Sequence, residues 1–134
     1  MKPLSKQLED LVSGDISHIN EVSRLPAEAI ERAWGQSGHP RVTVTALAVL
    51  LAGLRNGNWS LDDATVWAYF VMHGGFKATH PFSRSDLDIE YDEYGQELIA
   101  ELVMRLERSN DPGQDPLTAA DIDEMAAMVD AGGD

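Results

Sequence analysis

The amino-acid sequence predicts an all-α protein, folded as a single compact bundle of about six or seven short helices. Apolar residues recur at intervals of three and four along most of the chain, which is the period of an amphipathic helix. Alternating strands joined by hairpin turns are absent from the pattern. The apolar fraction of 43% is typical of a globular protein, and 134 residues suffice for one domain that buries roughly two-thirds of its unfolded surface.

Three helices are predicted in the first third of the chain. The first presents its leucines on one face and ends at Gly14, a short second helix follows, and Pro26 suits the first turn of a third. The apolar stripes of these helices should lie in the core, and their members are Leu4, Leu8, Leu11, Val12, Ile16, Ile19, Val22, Ile30, Ala33 and Trp34.

The middle of the chain should supply the centre of the bundle. Residues 41–45 alternate like a strand but run into a stretch of alanine and leucine, so we predict that 43–55 is a helix, apolar nearly all round and centrally buried. Ser60 can cap the next helix, which Gly74 ends. We expect Trp67 in the core and Trp59 packed on that same helix.

The clearest amphipathic pattern runs from Tyr91 or Asp92 to Arg108. The acids at its start are favoured by the positive end of the helix dipole. Glu101 and Arg105 are spaced as an i,i+4 ion pair on its outer face.

Irregular structure is predicted on either side of this helix. Residues 76–85 should form a loop, and residues 110–116, with two prolines and a glycine, a linker. A last helix then opens with a capping box at Thr118. We expect residues 131–134 to form a flexible tail.

The net charge of the chain lies entirely in its last part. Residues 1–85 carry eight acidic and eight basic side chains and are neutral. Residues 86–134 carry fifteen acids against Arg105 and Arg108, and so hold the whole net charge of −13. This asymmetry indicates a surface for a basic partner and argues against direct binding to nucleic acid or to an anionic membrane.

Motifs for catalysis and cofactor binding are lacking. The chain has no cysteine, which excludes disulfides, thiolate zinc sites and a cysteine nucleophile. Its four histidines lack the spacing of a zinc site, and no phosphate-binding loop is present. We therefore expect no enzymatic activity, no cofactor and no bound metal. The first residues lack the apolar core of a signal peptide, so we expect a cytoplasmic protein without a membrane segment.

Residues 86–97 resemble an EF-hand calcium loop in spacing, with acids at its positions one, three, five, seven and twelve. Tyr91 stands where that loop requires glycine, and Glu93 stands where an apolar residue normally joins paired loops. We therefore interpret this run as an acidic helix start with solvated side chains, as a partner-binding surface, or as both. A calcium-binding regulator is kept as an alternative.

The function predicted from these features is that of a non-catalytic protein-binding module. Clustered carboxylates attract a positive patch and speed the encounter with it. Because nucleic-acid-binding proteins carry such patches, the most specific hypothesis is an inhibitor or immunity-type antagonist of a nuclease or similar protein, acting as a nucleic-acid mimic. A small phage or bacterial assembly or adaptor protein that binds through apolar helical faces is the main alternative. The predicted partner-binding residues are Asp86, Asp88, Glu90, Asp92, Glu93, Glu97 and Glu101.

Overall fold

Seven α-helices and no β-strand make up the regular structure of the described residues, which confirms the predicted all-α class. A computed structural model describes residues 3–76, 87–109, 113 and 117–132. The predicted loop at 76–85 and the predicted linker at 110–116 lie outside these residues, apart from Phe76 and Gly113. The helices are α1 (Leu4–Val12), α2 (Ile19–Val22), α3 (Ala27–Gly35), α4 (Val44–Asn56), α5 (Leu61–His73), α6 (Gln96–Arg108) and α7 (Ala119–Gly132).

One apolar core joins the helices. α4 packs mainly against α7, α5 against α6, and α1 against α3. Trp67 of α5 is fully buried, as predicted, and its indole N–H donates to the carbonyl oxygen of Leu11 at 2.6 Å. Phe70 stacks on Phe76 with ring centroids 4.5 Å apart. Each such buried apolar side chain stabilises the fold by roughly 1.5–3 kcal/mol.

Capping side chains fix the helix boundaries that the sequence predicted. At α5, the Ser60 hydroxyl accepts from the N–H of Asp63 at 3.1 Å, and the Asp63 carboxylate accepts from the N–H of Ser60 at 3.3 Å. Thr118 and Asp121 form the same reciprocal pair at α7, at 3.2 and 2.9 Å. Gly74 ends α5 with a φ of 74°, a left-handed conformation that glycine adopts without steric cost.

The prediction of a buried helix at 43–55 is right about the helix and only partly right about its burial. α4 runs from Val44 to Asn56, one residue later than predicted at each end, and its face at Thr45, Val49 and Ala52 is exposed. Val49 retains 41% of its accessible surface. The neighbouring helices cover one side of α4, so its apolar outer residues meet solvent.

Trp59 packs on the preceding helix rather than on the following one. Its indole N–H donates to the carbonyl oxygen of Leu50 at 2.9 Å, and its ring lies against Gly53 of α4. A side chain at Gly53 would overlap that ring. Trp59 therefore fastens the turn between α4 and α5 to the α4 backbone.

The predicted ion pair between Glu101 and Arg105 is wrong. The Arg105 guanidinium lies 3.8 Å from the Glu124 carboxylate of α7 and 3.9 Å from the sulfur of Met128, so it bridges to α7 instead. α7 itself is longer than predicted, because Ala131 and Gly132 of the expected tail are helical.

Candidate functional site

Residues 87–92, here called the acidic segment, are extended and lie beside Val42. The N–H of Val42 donates to the carbonyl oxygen of Glu90 at 2.9 Å, and the N–H of Asp92 donates to the carbonyl oxygen of Val42 at 2.8 Å. These two bonds form a single parallel bridge between Val42 and Tyr91. The predicted start of α6 at Tyr91 or Asp92 is therefore wrong, because the residues on either side of Tyr91, Glu90 and Asp92, are hydrogen-bonded to Val42. The helix begins at Gln96, after Gly95 with a φ of 76°.

The bridge cannot lengthen into a parallel sheet. In this register, the next donor toward Asp88 would be the N–H of residue 40, which is a proline and has none. On the other side, Thr43 already caps α4 by accepting from the N–H of Ala46 at 3.0 Å. Within the strand-like stretch at residues 41–45, only Val42 therefore forms a β-bridge.

Alternation along the acidic segment sorts its side chains onto two faces. Leu87 is buried, and Ile89 and Tyr91 are partly buried against the core. Asp88 and Glu90 are exposed between them. A strict apolar–acidic alternation over six residues is typical of a half-buried strand. It is the signal that distinguishes this segment from a helix start.

Asp88 connects the acidic segment to α3 and to the loop that follows it. Its Oδ1 accepts from the indole Nε1 of Trp34 at 2.7 Å and lies 3.8 Å from Nδ1 of His39. The His39 ring in turn lies 5.2 Å from the Trp34 ring, centroid to centroid. The hydrogen bond from Trp34 is the main cause that lowers the pKa of Asp88 below its ordinary value.

Glu90 has a basic neighbour on the adjacent backbone. Its Oε2 lies 3.4 Å from Nη2 of Arg41, and both side chains are more than half exposed. An exposed pair of this kind contributes about 0.2–1 kcal/mol. The pair is therefore weak enough to exchange for an external basic group.

The outer face of α6 differs from the acidic segment in that its carboxylates form no ion pair with any described residue. Glu97, Glu101, Met104 and Arg108 follow one another at helical spacing and are all exposed. Among the described residues, neither Glu97 nor Glu101 forms an ion pair, and the same holds for Glu93 in the preceding turn. Met104 is 37% exposed. We call these four residues the α6 outer face.

A shallow groove joins the acidic segment to α6. It has a volume of about 450 Å³ and is lined by Arg41, Glu90, Tyr91, Glu93 and Gln96. Burial raises the pKa of the Tyr91 phenol above its ordinary value. With two carboxylates and one guanidinium in its lining, the groove favours a positively charged group.

The predicted partner-binding residues that the structure describes lie on the acidic segment, on α6 and in the turn between them. Asp86 lies outside the described residues. The three acids Asp88, Glu90 and Asp92 belong to the acidic segment, Glu93 to the turn, and Glu97 and Glu101 to the α6 outer face. Sequence reasoning missed the first-half residues that meet them, which are Trp34, His39 and Arg41. No pattern in the sequence links positions roughly fifty residues apart, and Trp34 fits a helical core stripe equally well.

Comparison with protein-family models, with curated proteins and with solved structures found no match, so the chemistry of the surface is the guide to function. Within the described ranges, no three histidine, aspartate or glutamate side chains are grouped to hold a metal ion. The extended course of the acidic segment sends Asp88 and Glu90 to separate partners rather than around a common centre. None of the helices described is long and apolar enough to cross a membrane.

Proposed function

We propose that this protein is a non-catalytic binding module that engages a basic protein through the α6 outer face and the adjoining groove. The main observation in support of this proposal is the exposure of Glu97 and Glu101. They stand one helical turn apart, exposed, and without an internal ion pair in the described part of the chain. Charges that are not neutralised internally project the strongest field toward a partner.

Apolar side chains beside these carboxylates support the same proposal. Tyr94 is 55% exposed and Met104 is 37% exposed. Tyrosine and methionine are enriched at the centres of protein interfaces, where charges mainly steer the approach and buried anchors supply affinity. The combination of steering acids and adjacent anchors is what a protein-binding face requires.

The class of partner follows from the charge. A protein that binds nucleic acid carries a basic path for the phosphate backbone, and an acidic surface can occupy that path. The proposed role is therefore that of an inhibitor or immunity-type antagonist of a nuclease or another nucleic-acid-binding protein. Such an inhibitor acts by occlusion, so it needs no catalytic residue of its own.

Capture of the partner with matched baits tests the proposal. The baits are the wild-type protein, the double variant Glu97→Lys/Glu101→Lys, and the control Glu28→Lys/Glu31→Lys on the exposed side of α3. We expect a basic protein to bind the wild type and the α3 control at low salt, to be lost from the α6 variant, and to elute at high salt. Inhibition of that protein's nucleic-acid binding or cleavage then tests the specific role. Equal capture by all three baits would contradict the proposal.

A second candidate is favoured by a different observation. The exposed apolar face of α4, at Thr45, Val49 and Ala52, fits an adaptor that binds through apolar helical contacts. If that alternative is right, Val49→Asp abolishes capture, whereas capture by the wild-type protein persists at high salt.

A further inference from the structure

One edge of the backbone of the acidic segment has no hydrogen-bonding partner among the described residues beyond Leu87, and we call it the open edge. The backbone carbonyl group of Glu90 and the backbone N–H of Asp92 point toward Val42. Successive residues of an extended strand point their N–H and C=O groups in opposite directions, so those of Ile89 and Tyr91 point away from Val42. Neither residue makes a backbone hydrogen bond in the part of the chain that the structure describes. The N–H of Leu87 is already bonded to the carbonyl oxygen of Gly74 at 2.7 Å, so the open edge starts at Ile89.

The side chains along this edge have a regular charge pattern. The acids Asp88, Glu90 and Asp92 recur at every second residue, which corresponds to about 6.6 Å along an extended chain. The intervening Ile89 and Tyr91 are turned toward the core. A second strand laid against this edge would match the pattern if it carried basic and apolar residues in alternation, because opposite residues of paired strands share a face.

We infer that the open edge at Ile89 and Tyr91 receives an extended basic segment of the partner, which adds to the acidic segment as a strand. Lysine or arginine side chains at alternate positions of that segment face Asp88, Glu90 and Asp92. The residues between them pair by main-chain hydrogen bonds with Ile89 and Tyr91 and lie on the same side as these two. The inference rests on the proposed function, because it names the element of a basic partner that the acidic surface binds.

Backbone and side-chain contacts would contribute as they do in other complexes that form by strand addition. Main-chain hydrogen bonds supply affinity, and the alternate side chains supply specificity. Single exposed edges of this kind invite pairing with another chain. The carboxylates restrict the choice to basic sequences, since a like charge directly opposite is unfavourable.

Three short basic peptides with the same number of lysines and valines test the inference with the intact protein. The probes are capped Lys-Val-Lys-Val-Lys-Val, the block sequence Lys-Lys-Lys-Val-Val-Val, and the alternating peptide with N-methylated valines. Calorimetry at low salt gives the affinities, and amide hydrogen exchange by NMR locates the bonds. We expect the alternating peptide to bind about tenfold more tightly than the block peptide, as two additional main-chain hydrogen bonds would produce, and N-methylation to abolish that gain. Exchange of the Tyr91 amide should slow only with the unmethylated alternating peptide.

Two other outcomes separate this inference from the proposed function. If all three peptides bind equally and Glu97→Lys/Glu101→Lys weakens all of them, strand addition is wrong and the acidic binding surface stands. If that double variant also changes nothing, both are wrong. Concentration-dependent protection of the Tyr91 amide in the protein alone would assign the edge to a second copy of this chain, and would overturn the inference as well.

Discussion

The acidic segment and the α6 outer face carry the same kind of side chain in two different situations. On the acidic segment, Asp88 accepts a hydrogen bond from Trp34, and Glu90 lies beside Arg41. On α6, Glu97 and Glu101 face solvent without an ion pair among the described residues. Asp88 therefore helps to hold the chain in place, Glu90 makes only a weak pair that can exchange, and Glu97 and Glu101 are available to another molecule.

Net charge alone does not locate a binding surface. All these acids lie within the same stretch of sequence, and composition treats them alike. Only their neighbours in the fold separate a positioning role from a steering role. Removal of the Asp88 carboxylate should therefore lower stability, whereas substitutions at Glu97 and Glu101 should change association and leave stability nearly unchanged.

The largest effect is expected from displacing the acidic segment at its first contact. Gly74 has a positive φ, and a side chain there would overlap the backbone of Leu87. We expect Gly74→Ala to lower the free energy of unfolding by about 2–5 kcal/mol, from left-handed strain plus overpacking. Urea denaturation followed by circular dichroism measures the change.

Gly57 provides the matched control for this substitution. It ends α4 with a φ of 76°, close to the 74° of Gly74, but no atom lies near the position of a side chain. Gly57→Ala should therefore cost only the strain, about 1–2 kcal/mol. Equal costs for the two variants would mean that Gly74 does not hold the acidic segment against α5.

The second largest effect on stability is expected from removing the hydrogen-bond acceptor at Asp88. Asp88→Ala leaves the indole N–H of Trp34 without its partner, and the Trp34 side chain is only 3% exposed. We expect a loss of stability larger than the spread that is typical of surface substitutions. Glu97→Gln should fall within that spread. Similar costs for both variants, measured by chemical denaturation, would erase the distinction between the two regions.

The pH dependence of stability tests the same hydrogen bond without removing the carboxylate. Because the Trp34 N–H holds the pKa of Asp88 below its ordinary value of 3.8, the stabilisation is present above that pH and is lost as the pH falls through the folded-state pKa. The stability difference between the wild type and Trp34→Phe should therefore shrink between neutral pH and acid. A difference that stays constant in denaturation curves from pH 7 to pH 2 would show that only packing was lost.

The smallest effect is expected for the pair of Arg41 and Glu90. Both side chains are more than half exposed, so a double-mutant cycle with Arg41→Ala and Glu90→Ala should give a coupling energy of about 0.2–1 kcal/mol, which decreases with added salt. A larger, salt-independent coupling would mean that Glu90 belongs with the structural acids and is not free to exchange partners.

The helices were largely predictable because their signals are local. Capping by Ser60 and Thr118, the stop at Gly74 and the core stripe through Trp67 each depend on residues within one or two turns. The burial of α4 was not predictable in the same way. Its composition is apolar on every side, and only the positions of α5, α6 and α7 decide that Val49 is left exposed.

The candidate site was predicted as a set of acids but not as an arrangement. The charge asymmetry directed attention to residues 86–101, and the apolar–acidic alternation at 87–92 already contained the signal for an extended chain. The contacts that distinguish Asp88 from Glu97 come from Trp34 and Arg41, far away in sequence. Such contacts depend on how the helices pack, which periodicity does not specify.

The rate at which the captured partner associates with the protein tests whether the α6 outer face is the binding surface. Glu97→Lys/Glu101→Lys and Glu28→Lys/Glu31→Lys change the net charge equally, and each includes one glutamate of a first helical turn. Stopped-flow measurements over a range of salt concentrations should show association slowed about tenfold or more by the α6 pair, with a flatter salt dependence, and much less affected by the α3 pair. Equal slowing by both pairs would contradict the claim that the α6 outer face is the binding surface, and would assign the acidity of this protein to a general effect of net charge.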